Sequence, residues 1–170
     1  TLGSSFGSGV TIKKGGFLMN NQMRNFSHFY GRNDMQYGTS EANKLEPGKR
    51  MISTQTPTLV FDPNGDLFMI LGSPGGGRIP NIITQVISNV IDHEMSFTEA
   101  IIAPRINQRL EGNLQLETGF SPDTISLLID RGHKVESSNT MGSVQAIFLD
   151  KGNIFGVADT RRPGALAKGN

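Results

Sequence analysis

Apolar positions are grouped unevenly along the chain, and the grouping predicts its elements. The run Leu67-Phe68-Met69-Ile70-Leu71 reads as a buried strand. Thr58-Leu59-Val60-Phe61 precedes it across a turn at Asp62-Pro63-Asn64-Gly65, so 58–70 predicts a hairpin. Beyond the run, Ile82, Ile83, Val86, Ile87, Val90 and Ile91 fall on one face of a helix that begins near 79 or 80 and reaches about 92. Ser96-Phe97-Thr98-Glu99 carries a capping-box pattern and opens a shorter helix to about 103. Residues 113–117 alternate as a strand. Ser121-Pro122-Asp123 then starts a helix with Ile125, Leu127, Leu128 and Ile129 as its apolar face and Gly132 at its end. A second hairpin joins 144–149 to 154–157 through Asp150-Lys151-Gly152-Asn153, and two short strands, 10–12 and 17–19, flank Lys13-Lys14-Gly15-Gly16. Hairpins around a block of helices predict an α+β fold with a mostly antiparallel sheet and no βαβ alternation of the Rossmann kind.

Between the apolar strand and the first long helix lies Gly72-Ser73-Pro74-Gly75-Gly76-Gly77, with four glycines and a proline in six residues. Glycine admits positive φ and lets a ligand approach the peptide N–H groups. Next to a helix N-terminus, such N–H groups favour negative charge. The loop reads as a pocket for a phosphate, a carboxylate or the oxyanion of an acyl-transfer intermediate, or as a tight turn that only needs glycine. A phosphate loop needs Lys and a hydroxyl where Arg78-Ile79 follow. A dinucleotide fingerprint needs a strand from a βαβ unit, and this one belongs to a hairpin. His28, His93 and His133 lack ligand spacing, so no metal is expected, and no G-x-S-x-G elbow occurs. Acyl chemistry or simple ligand capture remains, with no cofactor.

Composition narrows this only slightly. The 170 residues amount to one domain, 1–170, and 21 glycines with 36% hydrophobic residues suggest a loop-rich protein. A net charge of +1 gives no electrostatic case for nucleic acid or a membrane surface. Without cysteine there is no disulfide, thiol nucleophile or Cys-ligated zinc. No apolar run is long enough to span a membrane, and no stretch reads as a signal peptide. The long polar segment 27–50 reads as a lid over a pocket or as disordered chain. The amide cluster Asn20-Asn21-Gln22-Met23-Arg24-Asn25 can fix a polar ligand or cap local turns.

Several stretches together resemble the small subunit of γ-glutamyltransferases. They are Thr1-Leu2-Gly3-Ser4-Ser5-Phe6-Gly7-Ser8-Gly9, Leu18-Met19-Asn20-Asn21-Gln22-Met23 and Gly72-Ser73-Pro74-Gly75-Gly76-Gly77-Arg78-Ile79. Ala103-Pro104-Arg105, Gly119-Phe120-Ser121-Pro122-Asp123-Thr124, Met141-Gly142-Ser143-Val144-Gln145 and Ala158-Asp159-Thr160-Arg161 follow in the family's order. The resemblance implies an N-terminal-nucleophile hydrolase fold, an αββα sandwich of which this chain is the small-subunit portion. It also implies a precursor that cuts itself, a large subunit as partner, and attack by a newly exposed threonine on a γ-glutamyl amide. Thr1 matches a threonine that hydrogen-bonds the nucleophile, so the nucleophile and the first two strands of the small subunit are expected upstream. By the same resemblance Gly75 and Gly76 form the oxyanion hole, Ser53 and Thr54 bind the glutamyl α-carboxylate, Gln22 contacts the α-amino group, and Tyr37 is a lid residue.

Two positions depart from the family pattern. Gly3 stands where an asparagine is usual, and Asn25 where an aspartate pairs with the substrate α-ammonium. Both changes affect the same end of the substrate. They raise the alternative of an acylase of the same fold, acting on glutaryl or cephalosporin-type substrates, beside the third reading of a non-catalytic remnant that binds small carboxylates. The resemblance also suggests a periplasmic or secreted protein.

Overall fold

The computed structural model describes residues 2–4, 6–27, 41–109 and 112–169. The sequence reading treats 1–170 as one domain; the chain gathers into two compact units, Thr1–Thr54 and Gln55–Asn170.

In the first unit, β1 (Thr11–Ile12) pairs antiparallel with β2 (Phe17–Leu18). A 3-10 turn follows at Gln22–Asn25 and another at Glu41–Asn43. Asn43 ties this unit together. Its Nδ2 donates to the Asn25 carbonyl at 2.6 Å, and its Oδ1 accepts from the Ile52 amide at 3.0 Å. The expected lid, 27–50, lies mostly outside the described residues.

In the second unit the elements run β3 (Thr58–Phe61), β4 (Leu67–Gly72), α1 (Ile79–Ile91), α2 (Phe97–Ile102), β5 (Ile106–Asn107), β6 (Leu114–Leu116), α3 (Pro122–Asp130), β7 (Val135–Ser137), β8 (Gln145–Asp150) and β9 (Asn153–Ala158). The two expected hairpins, β3–β4 and β8–β9, join through β4 and β8 into one antiparallel sheet, ordered β3-β4-β8-β9. Met69 lies opposite Phe148, and Leu71 opposite Ala146. These four point to the buried side of the sheet, where Ile79, Ile82, Ile83 and Val86 of α1 and Ala100 and Ile101 of α2 meet them. Phe97 stacks on Phe148 with ring centroids 4.1 Å apart. The other side of the sheet exposes Leu59, Ile147 and Ile154.

β5, β6 and β7 form a second sheet, of which the sequence predicts only β6, as the alternating stretch 113–117. β5 and β7 are two and three residues long, too short to show a period. β6 and β7 are parallel, with α3 between them, so one βαβ crossover exists beside the antiparallel main sheet. α3 also departs from the expected pattern. None of its residues is buried, and Leu127 and Ile129 are 58% and 54% exposed, since nothing among the described residues covers them. Its N-terminus is as read, with the Ser121 side chain accepting from the Thr124 amide.

Candidate active site

The glycine loop lies where the pattern places it. β4 ends at Gly72, a 3-10 turn spans Gly76–Arg78, and α1 begins at Ile79. Gly75 has φ 152° and Gly76 has φ 59°, values that L side chains rarely adopt. A Cβ on Gly75 would also crowd Ile82 Cδ1 at 3.1 Å. The Gly75 carbonyl accepts from the Arg78 amide at 3.2 Å, and the Gly76 carbonyl accepts from the Ile79 amide. Among the described residues no hydrogen bond takes up the N–H of Gly75 or of Gly76. Two adjacent amide donors therefore remain available beside the N-terminus of a 13-residue helix. Such an arrangement is able to stabilise an anion by hydrogen bonds and by the helix dipole.

In the first unit, the Asn25 side chain is buried and donates from Nδ2 to Gln22 Oε1 and to the Ile52 carbonyl, both at 3.3 Å. This brings Gln22 and Asn25 into direct contact and places Ile52, the neighbour of Ser53, against them. Gly3 lies beside Asn21: a Cβ there would stand 3.2 Å from Asn21 Oδ1. Ser53 is exposed and Thr54 half-buried. Thr1 and Tyr37 lie outside the described residues.

Comparison with known proteins bears on the chain as a whole. The sequence model of the Gamma-glutamyltranspeptidase family matches residues 1–169. This chain belongs to the γ-glutamyltranspeptidase family. It is similar to the glutathione hydrolase proenzyme of Escherichia coli strain K12, at 39% identity over 173 residues, covering 99% of this chain and 30% of that protein. It also resembles the acylase ACY 1 proenzyme of Pseudomonas sp. strain SE83, at 36% identity, covering 96% of this chain and 28% of that protein. A crystal structure of an acivicin-inhibited γ-glutamyltranspeptidase superposes with a TM-score of 0.88 at 38% identity, covering 96% of this chain and 90% of that one. The chain thus spans about a third or less of the length of these two curated relatives. The fold is that of the N-terminal-nucleophile γ-glutamyltranspeptidases, α+β as the sequence indicates.

The chain also holds a buried ionic network to which the sequence reading gives no role. Arg105, 2% exposed, donates from Nη2 to Asp159 Oδ2 at 2.7 Å. Arg161 donates to both carboxylates, at 2.6 Å to Glu117 Oε2 and 3.1 Å to Asp159 Oδ1. Burial pushes the Asp159 carboxyl up, but hydrogen bonds from the Arg161 amide, the Arg105 side chain and the Val144 amide outweigh it and hold the group below the usual carboxylate range. Glu117 is likewise raised by burial, and lowered further by Arg161 and by the Met141 and Arg105 amides, with a net depression. The spare guanidinium donors reach the carbonyls of Ile101 and Ala103 at the end of α2, where a helix favours cations. The signal was present in the sequence: Arg105 and Asp159 each adjoin an apolar element, where an ion must be paired. Which ions pair is decided by a fold that joins positions 54 apart.

Proposed function

We propose that the protein carrying this chain transfers or hydrolyses γ-glutamyl groups, from glutathione or other γ-glutamyl amides, through a γ-glutamyl-threonine acyl-enzyme. The observation that carries this reading is the pair of available N–H groups at Gly75 and Gly76, next to the N-terminus of α1, within a chain of this family. In the proposal these N–H groups receive the oxyanion that forms when a threonine hydroxyl attacks the γ-carbonyl. The lone pair that settles on that oxygen returns to expel the amine, which takes the proton given up by the threonine hydroxyl, and water, an amino acid or a peptide later accepts the acyl group. Ser53 and Thr54 offer hydroxyl donors to the α-carboxylate, and Gln22 addresses the α-amino group. Thr1 takes a supporting role beside the nucleophile, and Tyr37 that of a lid. We assign the attacking threonine to a segment outside residues 1–170 and the large subunit of the same precursor as partner, in a periplasmic or secreted protein. The exposed apolar residues of the main sheet, among them Leu59 at 57% and Ile154 at 73%, suit cover by such a partner. The test is turnover of γ-glutamyl anilide by the complete processed protein. Replacing the Gly75–Gly76 amide by an ester, which removes the Gly76 N–H donor while glycine's φ is kept, should lower kcat about 100-fold or more; full activity in that variant would sink the assignment.

A second reading is favoured by one feature. Asn25 is a neutral amide whose Nδ2 faces two acceptors, so it brings no charge to pair with an α-ammonium. An acylase that prefers glutaryl groups, which lack the α-amine, fits that environment, and one relative carries the acylase name. Comparing kcat/KM on γ-glutamyl and glutaryl anilides separates the two: preference for the glutaryl compound selects the acylase.

A further inference from the structure

A loop built of glycine is intrinsically mobile, yet donors in an oxyanion hole stabilise a transition state only if they are already fixed. In this chain the loop leans on a second segment, residues 141–144, which enters β8. The Ser143 amide donates to Ser73 Oγ at 3.1 Å, and Ser73 Oγ donates in turn to the Pro74 carbonyl at 2.7 Å. One hydroxyl thus links the segment to the peptide that leads directly into Gly75. The contact is as close as backbone allows. Gly142 has φ 67°, and a Cβ there would lie 2.6 Å from the Pro74 carbonyl oxygen and from Ser73 Oγ.

The segment itself is held from its other side by the ionic network. The Met141 amide donates to Glu117, and the Met141 carbonyl accepts from Arg105 Nη1 at 2.8 Å. The Val144 amide donates to Asp159 Oδ2 at 2.8 Å. Side chains, rather than a strand ladder, thereby satisfy the N–H groups of Met141, Ser143 and Val144. Both flanking residues, Met141 and Val144, are 0% exposed. The Arg78 side chain pins the far end of the loop, donating to Gln115 Oε1 at 2.9 Å.

We infer that Ser73 is a positioning residue that sets the oxyanion donors Gly75 and Gly76 by coupling their loop to the 141–144 segment and, through it, to the Arg105–Asp159–Glu117–Arg161 network. The inference rests on the proposed role of those donors. It concerns transition-state stabilisation and not ground-state binding of the glutamyl group, which the proposal gives to other residues. Because one oxyanion hole serves both acyl transfer steps, loss of its alignment lowers both together and leaves KM nearly unchanged.

The experiment compares the wild-type, Ser73→Ala and Ser73→Thr forms of the complete processed protein, with active sites titrated by the first-turnover burst. Ser73→Ala is expected to lower kcat on γ-glutamyl anilide by about 10- to 100-fold. KM and the Ki of glutamate should stay within about 3-fold and Tm within about 2 °C, while Ser73→Thr, which keeps the hydroxyl, retains kcat within about 3-fold. Any of three results would overturn it: kcat unaffected in Ser73→Ala, a loss that appears in KM or glutamate affinity instead, or Ser73→Thr as impaired as Ser73→Ala. A wild-type protein inactive on both γ-glutamyl and glutaryl anilides would overturn the functional reading and this inference with it.

Discussion

Asp159 is fully buried, and its two oxygens accept four hydrogen bonds, from the Val144 and Arg161 amides and from the Arg105 and Arg161 side chains. A buried carboxylate so surrounded contributes little if the whole network is replaced by apolar groups, but removing one partner leaves an uncompensated ion. Asp159→Ala leaves Arg105 buried without its carboxylate and should destabilise the intact protein by about 3–5 kcal/mol, measured as the shift in urea midpoint. A loss below 1 kcal/mol would mean the network is not the anchor described. Asn25 is the residue on which the two proposed readings differ. Asn25→Asp exchanges its two donor bonds for a charge, and should raise the preference for γ-glutamyl over glutaryl anilide by about 10-fold in kcat/KM. No change in that ratio would exclude Asn25 from recognition of the α-amino end.

At the scale of elements, α2 is short, six residues, and depends on its ends. Its capping box is complete: the Glu99 amide donates to Ser96 Oγ, and the Ser96 amide donates to Glu99 Oε2. Its other end is closed by Arg105 and Arg161 on the last carbonyls. Ser96→Ala should cost about 1 kcal/mol in the same denaturation assay, with kcat unchanged, because the hydrogen bonds of this cap stay within α2 and do not reach the glycine loop. The sequence makes this helix legible by its capping box, α1 by its period, and both hairpins by their apolar strands and turn residues. It does not make β5 or β7 legible, because two or three residues carry no period. For α3 the pattern predicts a buried face that the described residues do not bury.

For the whole molecule, Glu117 and Asp159 couple stability to pH. Both carboxyls have folded pKa values below their ordinary ones, so the unfolded chain binds protons more readily than the folded one. Their contribution is complete above the ordinary carboxylate pKa of about 4 and is lost as pH falls through the depressed folded values. Denaturation from pH 7 down to pH 2 should therefore show stability falling steeply only in the acid limb. Asp159→Asn should make that limb shallower; an unchanged slope would show that Asp159 does not carry the coupling. Residues 1–170 on their own should hydrolyse no γ-glutamyl anilide, and turnover by this purified piece would refute the placing of the nucleophile elsewhere.

By itself the sequence determined the antiparallel hairpins, the helix after the glycine loop and the need for glycine in that loop. Each of these follows from residues close along the chain: period, caps and glycine. The family likewise follows from linear motifs. Only the tertiary structure decided that the two hairpins form one sheet and that Arg105, Glu117, Asp159 and Arg161 form one network. It also decided that Ser73 meets Ser143, a contact across 70 positions. These contacts depend on which apolar faces pack together, and a local pattern says that a face is buried without saying against what.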